Sequence, residues 1–176
     1  MIPFTVALPH PFRAPPTEIA PLESEDARAL SRLHASAFPL GRGSWGAGEF
    51  HTLLMQRGVF GFRVARGRPL GRGKAEPRGF VMIRETGEEA EVLTLAVHPS
   101  WQGRGLGRAL MDAAIRELYA RHVAELFLEV DEGNAPAIGL YRKLGFETVG
   151  CREAYYAKIG GRATALTMRL DLRRAE

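Results

Sequence analysis

Cysteine is almost absent from this chain of 176 residues. Cys151 stands alone, so an internal disulfide cannot form and a multi-cysteine zinc cluster cannot be built, which fits a reducing compartment. Long apolar runs are missing too: nothing approaches the roughly 18 residues a membrane helix needs. The opening Met1–Pro9 is apolar but broken by prolines and lacks a basic flank, so it does not read as a secretion signal. A cytoplasmic protein without a membrane partner is expected. Charge of one sign is scarce as well, with 24 Lys and Arg against 20 Asp and Glu, a formal net charge of +4. That surplus is too small to serve as the electrostatic footprint of a nucleic-acid binder. Five basic residues do gather between Arg66 and Arg78, but no aromatic platform accompanies them in that stretch. It reads as a solvated hairpin loop, and nucleic acid is not expected as a partner. His34 and His98 lack ligand partners at useful spacing, and Cys151 lacks a local His or Asp, which argues against a metal site and against thiol catalysis.

What is present is the composition of an ordinary globular protein, 45% apolar, with a surplus of glycine (20) and proline (11) that must sit in loops. Five of those prolines (Pro3, Pro9, Pro11, Pro15, Pro16) fall in residues 1–16, which predicts an extended arm. Residues 17–172 read as one domain and 173–176 as a short tail. A strand around Ile19 precedes the helix opener Ser24-Glu-Asp and the helical spacing Ala27, Leu30, Leu33, Ala37, which ends before Pro39. A second short helix runs through Phe50, Leu53 and Leu54. Strands are predicted over 59–64, 79–84 and 91–97, a long helix from about Gly105 to Arg121, a strand over 125–131, a helix from Asn134 to Leu144, and a terminal strand pair over 146–156 and 163–172. The strand–helix–strand passage implies a parallel pair joined by a crossover, while the early strands and the terminal pair look antiparallel. The expected fold is therefore a single-domain mixed α/β sheet flanked by helices.

The chemistry-bearing segment is His98-Pro-Ser-Trp-Gln-Gly-Arg-Gly-Leu-Gly-Arg108, between an apolar strand and the long helix. Gly103, Gly105 and Gly107 recur at every second position, so backbone N–H groups can converge on an anion at a helix N-terminus, with Arg104 and Arg108 beside them. A plain connecting turn needs only one glycine. The spacing rejects two common phosphate sites: Arg108 occupies the third glycine position of the dinucleotide fingerprint, and the only Gly-Lys pair, Gly73-Lys74, precedes Ala75 rather than Ser or Thr. Elsewhere, Glu129 interrupts an otherwise apolar strand beside Leu128 and Val130. A carboxylate there is either put to use or faces solvent paired with a neighbouring Arg, and the pattern leaves both open. Tyr141 falls on the helical stripe Ile138, Tyr141, Leu144, where packing alone accounts for it, and Asn134 is suited to cap the helix that follows it. Trp45 and Trp101 read as packing anchors, and the strand pair Tyr155-Tyr156 as structural.

The run Gln102-Gly-Arg-Gly-Leu-Gly107 resembles the Gln/Arg-x-x-Gly-x-Gly/Ala signature of the GNAT acyltransferase superfamily. Further segments are similar to its ribosomal-protein alanine N-acetyltransferases: His34–Pro39, Leu93–Pro99, Phe127–Val130, Asn134–Tyr141, Leu144–Phe146 and Tyr155-Tyr156. The resemblance covers most of the chain from about residue 17. It implies a sheet whose central parallel strands splay apart, with acetyl-CoA as co-substrate in the wedge and no metal. Its pantetheine would bond the backbone of Leu95 and Val97, its diphosphate would sit on Gln102, Gly103, Arg104, Gly105, Leu106, Gly107 and Arg108, and Asn134 would approach it. Glu129 matches the family's base and Tyr141 its general acid; an α-amine with pKa of roughly 7.7–8.0 needs only a modest base, and a phenol near 10 can protonate a thiolate. The implied reaction is direct acetyl transfer through a tetrahedral intermediate to a protein N-terminus, an alanine of a small-subunit ribosomal protein. Lysine side chains, small amines, or a silent acetyl-CoA-binding module associated with the ribosome are the alternatives. One departure stands out: relatives carry an acidic pair near the positions held here by Ala163 and Thr164.

Overall fold

A computed structural model describes residues 17–38, 44–66, 76–158 and 161–174, with the side chains of residues 17, 65, 66, 153–158, 161–163 and 174 outside the description. The proline-rich stretch 1–16, most of the basic loop and the Tyr155 and Tyr156 side chains therefore lie outside the described residues. The described chain folds into a seven-stranded mixed sheet. In chain order it comprises β1 (Thr17–Pro21), α1 (Ala27–Ala37), α2 (Ala47–Leu54), β2 (Val59–Arg66), β3 (Gly79–Thr86) and β4 (Glu89–Val97). Then follow α3 (Leu106–Ala120), β5 (Glu125–Asp131), α4 (Ala135–Lys143), β6 (Glu147–Lys158) and β7 (Gly161–Asp171). The predicted elements are all found, with ends shifted by a few residues.

The spatial order is β1-β2-β3-β4-β5-β7-β6, antiparallel at every junction except β4–β5. β3 explains why the sheet needs helices on both sides: Phe80, Val81, Met82 and Ile83 are all fully buried, so both of its faces must be covered. Val81 and Ile83 pack with the α3 stripe of Leu110, Met111, Ala114 and Leu118. Phe80 and Met82 pack with Leu30 and Leu33 of α1 and Phe50 of α2. Burying each such large side chain contributes about 1.5–3 kcal/mol, which holds α3 against β2, β3 and β4. Asp26, just before α1, is buried as well and is met by the Arg63 guanidinium of β2 at 3.1 Å. Among the described residues, no helix is long and apolar enough to cross a membrane, and no group of three or more His, Cys, Asp or Glu could hold a metal ion.

Candidate active site

The parallel pair β4–β5 is matched over only three positions: Glu89 with Glu125, Ala90 with Leu126 and Glu91 with Phe127. Both strands continue, β4 to Val97 and β5 to Asp131, without further pairing to each other. The cause lies on the other edge of β4. Val92 opposes Ile83 and Thr94 opposes Met82, so Leu93 is an extra residue in β4, a bulge that bends the strand at the point where it leaves β5. Past the bulge, the amide of His98 donates to the Arg78 carbonyl at 2.8 Å. Antiparallel pairs alternate, so the same register bonds Ala96 to Phe80 and turns the N–H and C=O of Leu95 and Val97 away from β3, into the gap. A cavity of about 700 Å³ fills that gap, walled by β4 from Val92 to Val97, by Leu128–Asp131 of β5, by the loop before α3 and by one side of α4.

One end of the cavity is the glycine loop. Gly103 (φ 71°) and Gly105 (φ 79°) adopt left-handed backbone angles, and a Cβ at either would meet nothing within 4 Å. The requirement there is purely torsional, about 1–2 kcal/mol for any other residue. Gly107 differs: it lies in the first turn of α3, and a Cβ would come within 3.3 Å of Leu140 Cδ2, so its role is close packing of α3 on α4. The first intrahelical bond of α3 runs from the Ala109 N–H to the Gly105 carbonyl, leaving the preceding amides of Leu106, Gly107 and Arg108 available to an anion at the positive end of the helix. Gln102, Gly103, Gly105, Leu106, Gly107 and Arg108 all line the cavity. Three of the expected phosphate ligands have side chains that meet other residues of the protein. The Gln102 side chain turns back to donate to the Val97 carbonyl at 3.1 Å, stapling the loop to β4. Arg104 does not line the cavity; its guanidinium lies 4.7 Å from the centre of the Trp101 ring. The Arg108 side chain reaches Asp112 at 3.5 Å.

Glu129 and Tyr141 line the same cavity. Glu129 alternates outward from buried Leu128 and Val130 and is half exposed. Arg152 of β6 reaches over β7 to within 3.5 Å of its carboxylate, so the ion pair and the cavity position coexist. Tyr141 is buried beside Phe146, ring centres 5.7 Å apart, and burial pushes its phenol up to about 12. Asn134 is the N-cap of α4: its side chain accepts from the Ala137 N–H at 3.3 Å, and the residue borders the cavity.

Another part of the wall was not legible as a site. His34, Phe38 and Trp45 border the cavity from α1 and the segment before α2. Trp45 stacks on His34 at 5.4 Å and meets Phe50 edge-on, so it packs as expected while also facing the opening. His34 is buried, its Nδ1 has no hydrogen-bond partner, and burial among aromatic rings lowers its pKa, with Glu49 partly opposing. Trp101 also does more than anchor: Arg78 lies 3.7 Å from its ring centre, so an aromatic does accompany the end of the basic stretch, contributed by a distant segment.

The model of the acetyltransferase (GNAT) family matches residues 28–146. This chain belongs to that family. Within GNAT proteins, a relative from Escherichia coli named ribosomal protein bS18-alanine N-acetyltransferase is 43% identical over 93 residues, 53% of this chain and 63% of the relative's length. The Mycobacterium tuberculosis protein named N-alpha-acetyltransferase RimI is 35% identical over 162 residues, 89% of this chain and 93% of its own. The crystal structure of the Escherichia coli ribosomal-protein-S18-alanine N-acetyltransferase superposes with a TM-score of 0.77 at 31% identity, covering 91% of this chain and 96% of that one. The GNAT fold accounts for the single parallel junction in an otherwise antiparallel sheet.

Proposed function

We propose that this GNAT protein transfers acetyl from acetyl-CoA to the α-amine of a protein N-terminus, an N-terminal alanine of a small-subunit ribosomal protein. The observation that carries this reading is the opening between β4 and β5, with an anion nest at one end and a carboxylate and a phenol in its walls. The names of the Escherichia coli and Mycobacterium tuberculosis relatives support the acceptor class. In this reading residues 17–172 are the catalytic domain, 1–16 an arm and 173–176 a tail, and the protein works in the cytoplasm, where ribosomal proteins are made.

The N–H groups at the start of α3 and in the left-handed glycine loop donate to the coenzyme's diphosphate, in a backbone conformation that glycine adopts without torsional cost. Acetyl-CoA supplies the acyl group as a thioester. The inward-facing backbone of Leu95 and Val97 orients it, and the Val97 N–H polarises the carbonyl. Asn134 borders the bound coenzyme. Glu129 takes the proton of the acceptor ammonium, directly or through water, a step costing only about 1 kcal/mol at neutral pH for an amine of pKa roughly 7.7–8.0. A lysine side chain, with pKa about 10.4, costs roughly 3 kcal/mol more. Tyr141 holds a proton toward the departing sulfur.

Mass spectrometry of a peptide panel incubated with acetyl-CoA tests the proposal. The panel varies the first residue and includes peptides with blocked N-termini and free lysine. Acetylation of free alanine N-termini is expected, abolished or reduced about a hundredfold in Glu129→Gln. Transfer confined to lysine, or full activity of the Gln variant, overturns it.

A further inference from the structure

β6 lies at the end of the sheet, two strands from β5, yet one of its side chains reaches a carboxylate that lines the cavity. The register explains how. Glu129 opposes Thr167 of β7, and Thr167 opposes Gly150 of β6, so these three residues share one face of the sheet. In the next row on that face Asp131 opposes Ala165, and Ala165 opposes Arg152. An irregularity in β6 decides that Arg152 is there at all. Pairing passes from Thr148 with Met168 directly to Gly150 with Thr167, so Val149 is an extra residue. Side chains alternate with a period of two, so without this bulge Arg152 would oppose Thr164 and project from the other face, and Cys151 would stand in its place. Val149 itself is exposed, so the bulge buries nothing; what it does is aim the arginine. Two strands span roughly 10 Å. Gly150 and Ala165 carry little or no side chain, which leaves a low path across β7, and Arg152 Nη2 comes within 3.5 Å of Glu129 Oε1. The carboxylate in its own row, Asp131, is engaged in its turn, where Oδ1 accepts from the Gly133 N–H at 2.7 Å.

An ion pair whose partners are 73% and 47% exposed adds little to stability. Its consequence is geometric. A half-exposed glutamate has several side-chain rotamers open to it, and packing does not choose among them. Among the described residues the one ion pair of Glu129 is with Arg152. That contact engages Oε1 and leaves Oε2 to take the proton of an arriving ammonium, directly or through water. We propose that Arg152 is a positioning residue for acetyl transfer: from across β7 it holds the Glu129 carboxylate in one orientation at the cavity, and the bulge at Val149 is the device that brings it to the correct face. Arg152 acts through Glu129 and touches neither coenzyme nor acceptor. The inference rests on the proposed role of Glu129 as the base.

A double-mutant cycle on the full chain tests it, read as the single-turnover rate of transfer from saturating acetyl-CoA to a peptide that begins with alanine. Arg152→Ala is expected to slow transfer about three- to fivefold, the scale of one exposed ion pair, while the Kd for acetyl-CoA, the half-saturating peptide concentration and the Tm stay as they were. Arg152→Lys is expected to recover part of the loss. The deficit of Arg152→Ala is expected to shrink as salt is raised, because exposed charges are screened. In the Glu129→Gln background the same substitution is expected to change the residual rate by less than about twofold, since the group it acts through is gone. Unchanged or faster transfer in Arg152→Ala overturns the inference. So does an equal loss in the Glu129→Gln background, which assigns Arg152 an effect elsewhere, and so does a higher half-saturating peptide concentration at full rate, which makes it an acceptor contact. Those three results leave the acetyltransferase reading standing when Glu129→Gln by itself is strongly slowed. Full activity of Glu129→Gln removes the base and this inference together, as does the absence of transfer to any peptide.

Discussion

Replacing Tyr141 by Phe removes one oxygen and leaves the packing on Phe146 in place. The phenol is held at about 12 by burial. At pH 9 only about one molecule in a thousand has then lost this proton, against about one in ten for an unperturbed tyrosine near 10. The hydroxyl is therefore available as a donor at every pH where the protein is handled. The same shift works against complete transfer: from about 12 to a thiol near 8.5 is roughly 3.5 pK units, or about 5 kcal/mol uphill. Tyr141 is thus better suited to donating a hydrogen bond to sulfur as its charge develops than to releasing its proton early, and its worth lies toward the low end for an acid, about a hundredfold. Turnover of Tyr141→Phe at saturating acetyl-CoA, read by released thiol between pH 6 and 10, is expected to fall about 30- to 100-fold at every pH, with no alkaline limb in the unaltered enzyme that the variant lacks. Unchanged turnover, or a limb near pH 9 to 10 that disappears in the variant, refutes the reasoning.

Gly105→Ala meets no steric obstacle but must hold φ near 79°, a strain of about 1–2 kcal/mol that tilts the nest amides; the KM for acetyl-CoA is expected to rise roughly tenfold with little change in melting temperature. Asp26→Asn leaves the Arg63 guanidinium without its buried carboxylate, and a loss of about 3 kcal/mol, or roughly 6–12 °C in Tm, should be seen by thermal denaturation. His34 has a folded-state pKa below its unfolded value of 6.5, so the unfolded chain takes up the proton first as pH falls. Its stabilising contribution is complete above pH 6.5 and is lost as pH drops through the lowered folded value. Urea denaturation of His34→Phe should show a flatter stability profile between pH 7 and 5 than the parent, and an unchanged slope counts against the burial argument.

Periodicity together with capping and turn signals located every strand and α-helix of the described residues, because the elements here are stiffly patterned: β5 alternates, α3 carries one apolar stripe, and the tight β3–β4 turn is marked by Gly87 at φ 68°. The three alternating glycines were visible as a candidate anion site for the same reason, since backbone torsion is a local property. Their separate duties were not. Gly103 and Gly105 are torsional, whereas Gly107 is a packing glycine, and that depends on Leu140 thirty-three residues away. Nor could the splay of β4 from β5 be read from composition, because it follows from a bulge at Leu93 defined only by what β3 places opposite it. Side-chain partners were equally hidden. Gln102 turns to Val97, Arg152 crosses β7 to Glu129, and Arg78 finds the face of Trp101. Local sequence sets torsion and alternation, which act over a few residues; charge pairing, burial and the pKa values that follow from it depend on which distant segments the sheet brings into contact.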